Sequence, residues 1–291
     1  MQVLCLITNP ADPELDAALA ARVHKEVGGE INWLNHGIAC EITAPVSTDP
    51  ATAARDLVAG KAVDVALLPA EGRRKRVLLA DMDSTMINEE CIDELADALG
   101  LKAEVADITD RAMRGELDFA QALDTRVRLL AGLERRVIEE IRRERITLAA
   151  GGRALVQTMK AYGAHTALIS GGFTYFADYI ARRIGFDEAV ANRLVFDGDD
   201  RLTGEVEQPI VDRTTKRERL EALRAELGLA ASETLAVGDG ANDLDMILAA
   251  GLGVALHAKP HVAEQAPVRL DHADLTGLLY LQGYAEDEFV R

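Results

Sequence analysis

Val77-Leu78-Leu79-Ala80-Asp81-Met82-Asp83-Ser84-Thr85 is the stretch on which the fold turns. Four apolar residues run unbroken into two carboxylates and two hydroxyls. A strand covered by helices on both faces of a parallel sheet reads as such a run. Polar residues at the carboxyl end of such a strand lie where these sheets bind ligands. Two later segments repeat the pattern. Residues 166–169 run into Ser170-Gly171-Gly172, and residues 234–237 into Gly238-Asp239-Gly240-Ala241-Asn242-Asp243. Helical spacing fills 153–162, 174–184, 216–227 and 243–250, and a further strand is expected at 253–256. Strands alternating with helices predict a doubly wound parallel α/β sheet, so the three polar segments should meet in one crevice.

Two departures interrupt that alternation. Residues 88–148 form a helical insertion after the first strand, with pieces at 91–99, 101–114, 118–130 and 134–142 separated by Gly100, Gly115 and Gly132. Residues 193–207 form a small hairpin around Asp197-Gly198-Asp199-Asp200.

Upstream lies a different pattern. A strand at 2–8, a helix at 13–27, strands at 31–34 and 39–42 around Asn35-His36-Gly37, a helix at 50–58 with Asp49 as its N-cap, and a strand at 62–68 give the order β-α-β-β-α-β. That is the ferredoxin-like α+β arrangement. The expected division is therefore 1–72 and 73–291. The basic run Arg73-Arg74-Lys75-Arg76 reads as a solvated connection.

Composition narrows the function. Of 291 residues, 48% are hydrophobic, enough for a sizeable core, and the net charge is −17. Such acidity argues against a broad nucleic-acid or anionic-membrane surface. Cys5, Cys40 and Cys91 have no metal or redox spacing, which suits a reducing compartment. Residues 1–8 are too short and lack the basic flank of a signal peptide, and no run approaches the length of a membrane span, so a cytoplasmic protein is expected.

The chemistry resides in the set of motifs. Asp81, Asp83 and Asp239 in one crevice would repel one another without a cation. Hard oxygen donors favour Mg²⁺, which leaves positions open for phosphate and water. Lys216, the Ser170 hydroxyl and glycine amides would then suit a phosphoryl group. Taken singly the motifs say little: Ser-Gly-Gly is a tight turn, and Gly-Asp-Gly-Ala-Asn-Asp lacks the residue order of a calcium loop.

As a set, in this order, Asp81-Met82-Asp83-Ser84-Thr85, Ser170-Gly171-Gly172, Lys216 and Gly238-Asp239-Gly240-Ala241-Asn242-Asp243 resemble the four motifs of the haloacid dehalogenase superfamily, most closely its phosphoserine phosphatases. The resemblance covers residues 77 to about 285. It implies a phosphatase with a helical cap over the site. Asp81 is then the nucleophile and Asp83 the general acid and base. Mg²⁺ is held by Asp81, Asp239 and the Asp83 backbone carbonyl. Ser170, Gly171, Lys216 and Asn242 hold the phosphoryl group, and Asp243 orients Lys216. On the cap, Arg126 is implied for a substrate carboxylate and Glu90 for its ammonium; without the resemblance both are ordinary helix-surface charges. Met86 and Phe119 suit either the pocket or the core.

Phosphoserine is thus the expected substrate. Phosphothreonine, phosphohomoserine, phosphotransfer and a catalytically inactive amino-acid sensor remain as alternatives. The unit 1–72 resembles regulatory ACT domains in element order, which leaves homodimerisation or feedback open there. No residue assigned to chemistry precedes Asp81, so deleting 1–72 is expected to spare turnover.

Overall fold

The computed structural model describes residues 1–114 and 116–291, less the side chain of Met113. Gly115, expected to separate two cap helices, lies outside the described residues.

The N-terminal unit runs β1 (Gln2–Thr8), α1 (Ala17–Val27), β2 (Glu30–Asn35), β3 (Ala39–Thr43), α2 (Pro50–Leu57) and β4 (Val63–Pro69). Its sheet has the order β2-β3-β1-β4 with antiparallel neighbours, as a ferredoxin-like sheet requires. Helix α1 starts four residues later than its apolar spacing suggested. Asp16 accepts the Leu19 N–H at 2.6 Å and fixes the start at Ala17. Leu15, which fits the helical spacing, is buried from the preceding loop. Asp49 caps α2 as expected.

This sheet is buried on both faces. Leu4 and Leu6 of β1 pack with Leu19, Val23 and Ala54 beneath the helices. The alternate residues Val3, Cys5 and Ile7 join the main core with Leu278, Tyr280 and Leu281. Further ties cross the same boundary. Asp64 accepts backbone N–H groups of Asp271, His272 and Ala273 at 2.8, 3.2 and 2.8 Å. Asn35 donates to the Tyr280 hydroxyl at 2.8 Å. The basic run is a staple rather than a solvated connection: Arg73 donates to Glu41 and to the Tyr280 and Leu281 carbonyls, and Arg74 pairs with Glu288. Removing 1–72 would strip one wall from the main core, which weighs against the expectation that deleting it spares turnover.

The second unit is built on β5 (Val77–Ala80). Next come the inserted helices α3 (Cys91–Asp97), α4 (Lys102–Met113), α5 (Phe119–Leu129) and α6 (Arg135–Glu144). The chain returns through α7 (Gly152–Ala161), β6 (His165–Phe173), α8 (Thr174–Ile184), β7 (Glu188–Asn192), β8 (Leu194–Phe196) and β9 (Leu202–Val206). It ends with α9 (Arg213–Glu226), β10 (Thr234–Gly238), α10 (Leu244–Ala249), β11 (Leu252–Leu256), α11 (Pro260–Ala263), β12 (Val268–Leu270) and α12 (Gly277–Leu281). The described strands give a parallel sheet of order β12-β11-β10-β5-β6-β7. Strand β5 has β6 on one side and β10 on the other, so the winding reverses there and a crevice opens at its carboxyl end. Strands β7 and β12 and helices α11 and α12 were not expected.

The insertion leaves and rejoins the sheet through one paired neck. Ile87 bridges Leu148, the Asn88 N–H donates to Thr147 and the Ala149 N–H to Met86. The antiparallel β8–β9 hairpin packs on the cap: Gly132 and Leu133 exchange backbone bonds with Leu202 at 2.8 and 2.9 Å. No helix among the described residues is long and apolar enough to cross a membrane.

Candidate active site

Asp81 follows the last residue of β5, and its N–H donates to the Val237 carbonyl of β10 at 3.0 Å. The first motif is thereby locked against the fourth. Lys216, in the first turn of α9, is wholly buried and donates to Asp81 Oδ1 at 2.5 Å and Asp243 Oδ1 at 2.6 Å. Burial alone would push this lysine down, but Asp243 and Asp81 more than offset it and hold it above its usual range. The other Asp243 oxygen accepts the N–H groups of Asp239 and Gly240 at 3.2 and 3.0 Å. A Cβ at Gly238 would come within 2.4 Å of Asp243 Cγ, so this packing requires glycine.

Asp83 faces elsewhere. Its Oδ1 accepts the Cys91 N–H at 2.8 Å, at the start of the cap, and its Oδ2 accepts from the Ser170 hydroxyl at 3.1 Å. Burial pushes its carboxyl up, against the pull of those hydrogen bonds. Ser170 and the two glycines form the end of β6 rather than a turn after it. Here too glycine is needed for close approach. A Cβ at Gly171 would lie 2.7 Å from Phe119 of α5, and one at Gly172 would lie 2.7 Å from Asp83 Oδ2. Helix α8 begins at Thr174, so its N-terminus points at this corner.

Asp81, Asp239 and Asp243 each bring a carboxylate oxygen within 4.8 Å of the others. Burial, with Asp243 and Asp81 adding to it, pushes Asp239 well above the usual carboxylate range. Burial and Asp243 likewise raise Asp81, and Lys216 pulls against them. A cation would relieve this repulsion. Asp243 is committed to Lys216 and two amides, which leaves Asp81 and Asp239 as hard donors, a set that fits Mg²⁺. The Asp83 carboxylate is outside this triad. Its backbone carbonyl accepts no hydrogen bond among the described residues, which leaves it available as a ligand. Thr85, given no role from the sequence, donates its hydroxyl to Asp239 Oδ1 at 3.0 Å and orients it.

Above these groups lies a cavity of about 50 Å³ lined by Asp81, Asp83, Ser170, Gly171, Asn242 and, from the cap, Glu90, Thr109, Phe119 and Arg126. The sequence-derived residues thus converge, with Lys216, Asp239 and Asp243 beneath the cavity floor. Among the described residues the buried Asn242 Oδ1 has no hydrogen-bond partner, and the residue lines the cavity. Glu90 accepts the Ser84 hydroxyl at 2.6 Å. Burial, Asp83 and Asp239 push Glu90 well up, so a ligand ammonium would be welcome there. Arg126 is only 6% exposed. It donates Nε to the Ala122 carbonyl at 3.1 Å and Nη1 to the Thr109 hydroxyl at 2.9 Å. Met86 belongs to the core against Gly152, not to the cavity. Cys91 is buried, and burial with Asp83 pushes its thiol well up, which rules against a reactive thiolate.

Thr109 was missed by sequence reading. Its signal was faint: Val105 and Thr109 are one helical turn apart on the buried side of α4, so a hydroxyl interrupts an apolar stripe.

Known proteins resemble this chain in sequence and fold. A family model described as haloacid dehalogenase-like hydrolase matches residues 78–248. A phosphoserine phosphatase of Streptomyces coelicolor is 41% identical over 98% of this chain and 71% of its own length. A HAD family hydrolase from Salmonella enterica serovar Typhi superposes with a TM-score of 0.84 at 29% identity, covering 99% of this chain and 100% of that one. A probable phosphoserine phosphatase from Vibrio cholerae gives 0.78 at 32% identity, over 99% of this chain and 88% of that one. The matched segment contains the Asp81–Asp83 strand end, the inserted helices and the Lys216–Asp243 pair, and the likeness to a solved hydrolase runs almost end to end. The chain belongs to the haloacid dehalogenase-like hydrolase family.

Proposed function

We propose that this protein hydrolyses O-phospho-L-serine to L-serine and phosphate through an aspartyl-phosphate on Asp81, with Mg²⁺ as cofactor. By family analogy this is the step that completes serine biosynthesis. One observation carries the reading. A single cavity joins the Asp81–Asp83 pair on its floor to Glu90 and Arg126 on its roof. Phosphate chemistry below and a matched carboxylate and guanidinium above suit a small phosphorylated amino acid. The names of the relatives point the same way.

The steps follow from the positions. The Asp81 carboxylate attacks phosphorus in line, and the bond from phosphorus to the serine oxygen breaks as Asp83 gives that oxygen a proton. Asp83 then takes a proton from water, the water oxygen attacks phosphorus, and the bond to Asp81 breaks to release phosphate. Ser170, the Gly171 amide, Lys216 and Asn242 hold the phosphoryl oxygens. Lys216 also favours the charged form of Asp81 against the upward push of burial and Asp243, and Asp243 keeps Lys216 aimed. Asp81, Asp239 and the Asp83 carbonyl would hold Mg²⁺, which neutralises phosphate charge and supports the electrophilic phosphorus. The cap excludes water while the aspartyl-phosphate forms.

The test is phosphate release from L-phosphoserine with and without Mg²⁺, beside L-phosphothreonine, phosphohomoserine and glucose 6-phosphate. Selective, Mg²⁺-dependent turnover of phosphoserine is expected. Asp81→Asn should lower it by more than about 10³-fold and Asp83→Asn by about 10²–10⁴-fold. Preference for another substrate would refute the reading of the cap. No turnover of any would refute the enzyme assignment.

A further inference from the structure

Arg126 is a buried cation, and among the described residues no carboxylate pairs with it directly. Such a charge is costly unless something holds it in place and something else neutralises it. The holding group is Thr109. Its hydroxyl accepts from Arg126 Nη1 at 2.9 Å and sits 2.9 Å from Asp93 Oδ1 and 3.0 Å from the Val105 carbonyl. One hydroxyl proton cannot serve both acceptors fully, and the carboxylate is the stronger one. The chain Asp93–Thr109–Arg126 therefore ties together α3, α4 and α5, and only its last member carries spare donors.

Spacing gives this arrangement its use. A direct Asp93–Arg126 ion pair would fix the guanidinium but would also occupy its charge, and a substrate carboxylate would have to compete. An interposed hydroxyl polarised by Asp93 supplies position without a bidentate partner. The remaining Arg126 N–H groups have no protein partner among the described residues, and the residue lines the cavity.

We propose that Thr109 and Asp93 are positioning residues for substrate specificity: a hydroxyl-spaced relay that aims Arg126 at the substrate's carboxylate and leaves its charge free. The proposal rests on the phosphoserine reading above and names how that reading is enforced.

The test compares L-phosphoserine with phosphoethanolamine, which keeps phosphate and ammonium but lacks the carboxylate. Phosphoethanolamine is followed by its KM or, if turnover is too slow, by its inhibition constant against phosphoserine. Thr109→Val removes the hydroxyl at nearly constant shape. It is expected to raise the phosphoserine KM about tenfold with a smaller change in kcat, to leave phosphoethanolamine affinity within about twofold, and to be rescued by Thr109→Ser. Arg126→Ala should abolish the preference for phosphoserine. Preference retained in Thr109→Val but lost in Arg126→Ala would overturn the relay and leave the substrate reading standing. Preference retained in Arg126→Ala would overturn the substrate reading itself. Equal loss on both ligands in Thr109→Val would reduce Thr109 to packing and also overturn the proposal. Should that variant fail to fold, Asp93→Asn reads the same ratio: a selective loss for phosphoserine supports the relay, and an unchanged ratio overturns it.

Discussion

Asp239 shows how single residues here are held against their own preference. It is 3% exposed, shares its surroundings with Asp81 and Asp243, and accepts one hydroxyl from Thr85. Burial and like charge both penalise its ionised form, so replacing it with a neutral isostere removes a cost in the metal-free protein. Asp239→Asn is expected to raise metal-free stability by about 1–3 kcal/mol, since Thr85 still finds an amide oxygen to donate to. The same variant should lose the rise in melting temperature that Mg²⁺ gives the parent. Thermal melting in EDTA and in Mg²⁺ checks both signs. A drop in metal-free stability would mean that the carboxylate serves packing rather than a cation.

Among the elements, the cap is joined to the rest of the domain by a firm neck and, beside contacts such as Arg142 to the Tyr175 carbonyl, by a weak exposed latch. The neck at 86–88 and 147–149 is backbone-paired. The latch is Lys259 Nζ to Asp110 Oδ1 at 3.0 Å, with side chains 36% and 44% exposed. Lys259 also donates its N–H to the Asp239 carbonyl, which ties the latch to the loop after β10. A pair so exposed is worth at most about 1 kcal/mol, which suits a cap that must open for substrate and product. Lys259→Ala should therefore change the phosphoserine KM by less than about fivefold and leave thermal stability unaltered. Steady-state kinetics and melting check this, and a loss of a hundredfold would mark Lys259 as part of the binding machinery. The legibility of elements followed their chemistry. Strands β5, β6 and β10 were readable because apolar runs abut carboxylates, serine and glycine. Strand β7 is a half-buried edge strand, and β12 has three residues, too few for a pattern. Helix α12, Gly-Leu-Leu-Tyr-Leu, is buried on every side and so shows no helical period.

At the scale of the whole molecule, the two units share one core. The unbroken run Val3–Ile7 carried that message: alternate residues face α1 and α2 on one side and α12 on the other. The partners that tie Arg73 and Asp64 to the second unit lie more than 200 residues away in the chain, at 280–281 and at 271–273, so no local pattern reveals them. The floor of the candidate site was more legible, because Asp81, Asp83, Ser170, Asp239 and Asn242 sit in short motifs at strand ends, whereas Glu90 and Arg126 lie on the cap and came only from the family resemblance. Thr85 and Thr109 were not, because a threonine at a helix or turn carries no distinctive spacing. Deleting 1–72 would bare Leu278, Tyr280 and Leu281, each worth about 1.5–3 kcal/mol when fully buried. The truncated chain is expected to be insoluble or to melt at least about 10 °C below the parent. Expression yield and melting temperature check this, and a soluble fragment of parental stability would show that the shared core is dispensable.

The most direct measurement is a rapid acid quench of the full chain mixed with ³²P-labelled L-phosphoserine and Mg²⁺. Label should appear on the protein within the first turnover, map to the peptide containing Asp81, and be absent in Asp81→Asn. Free phosphate forming in the parent with no label ever bound to the chain would contradict the account.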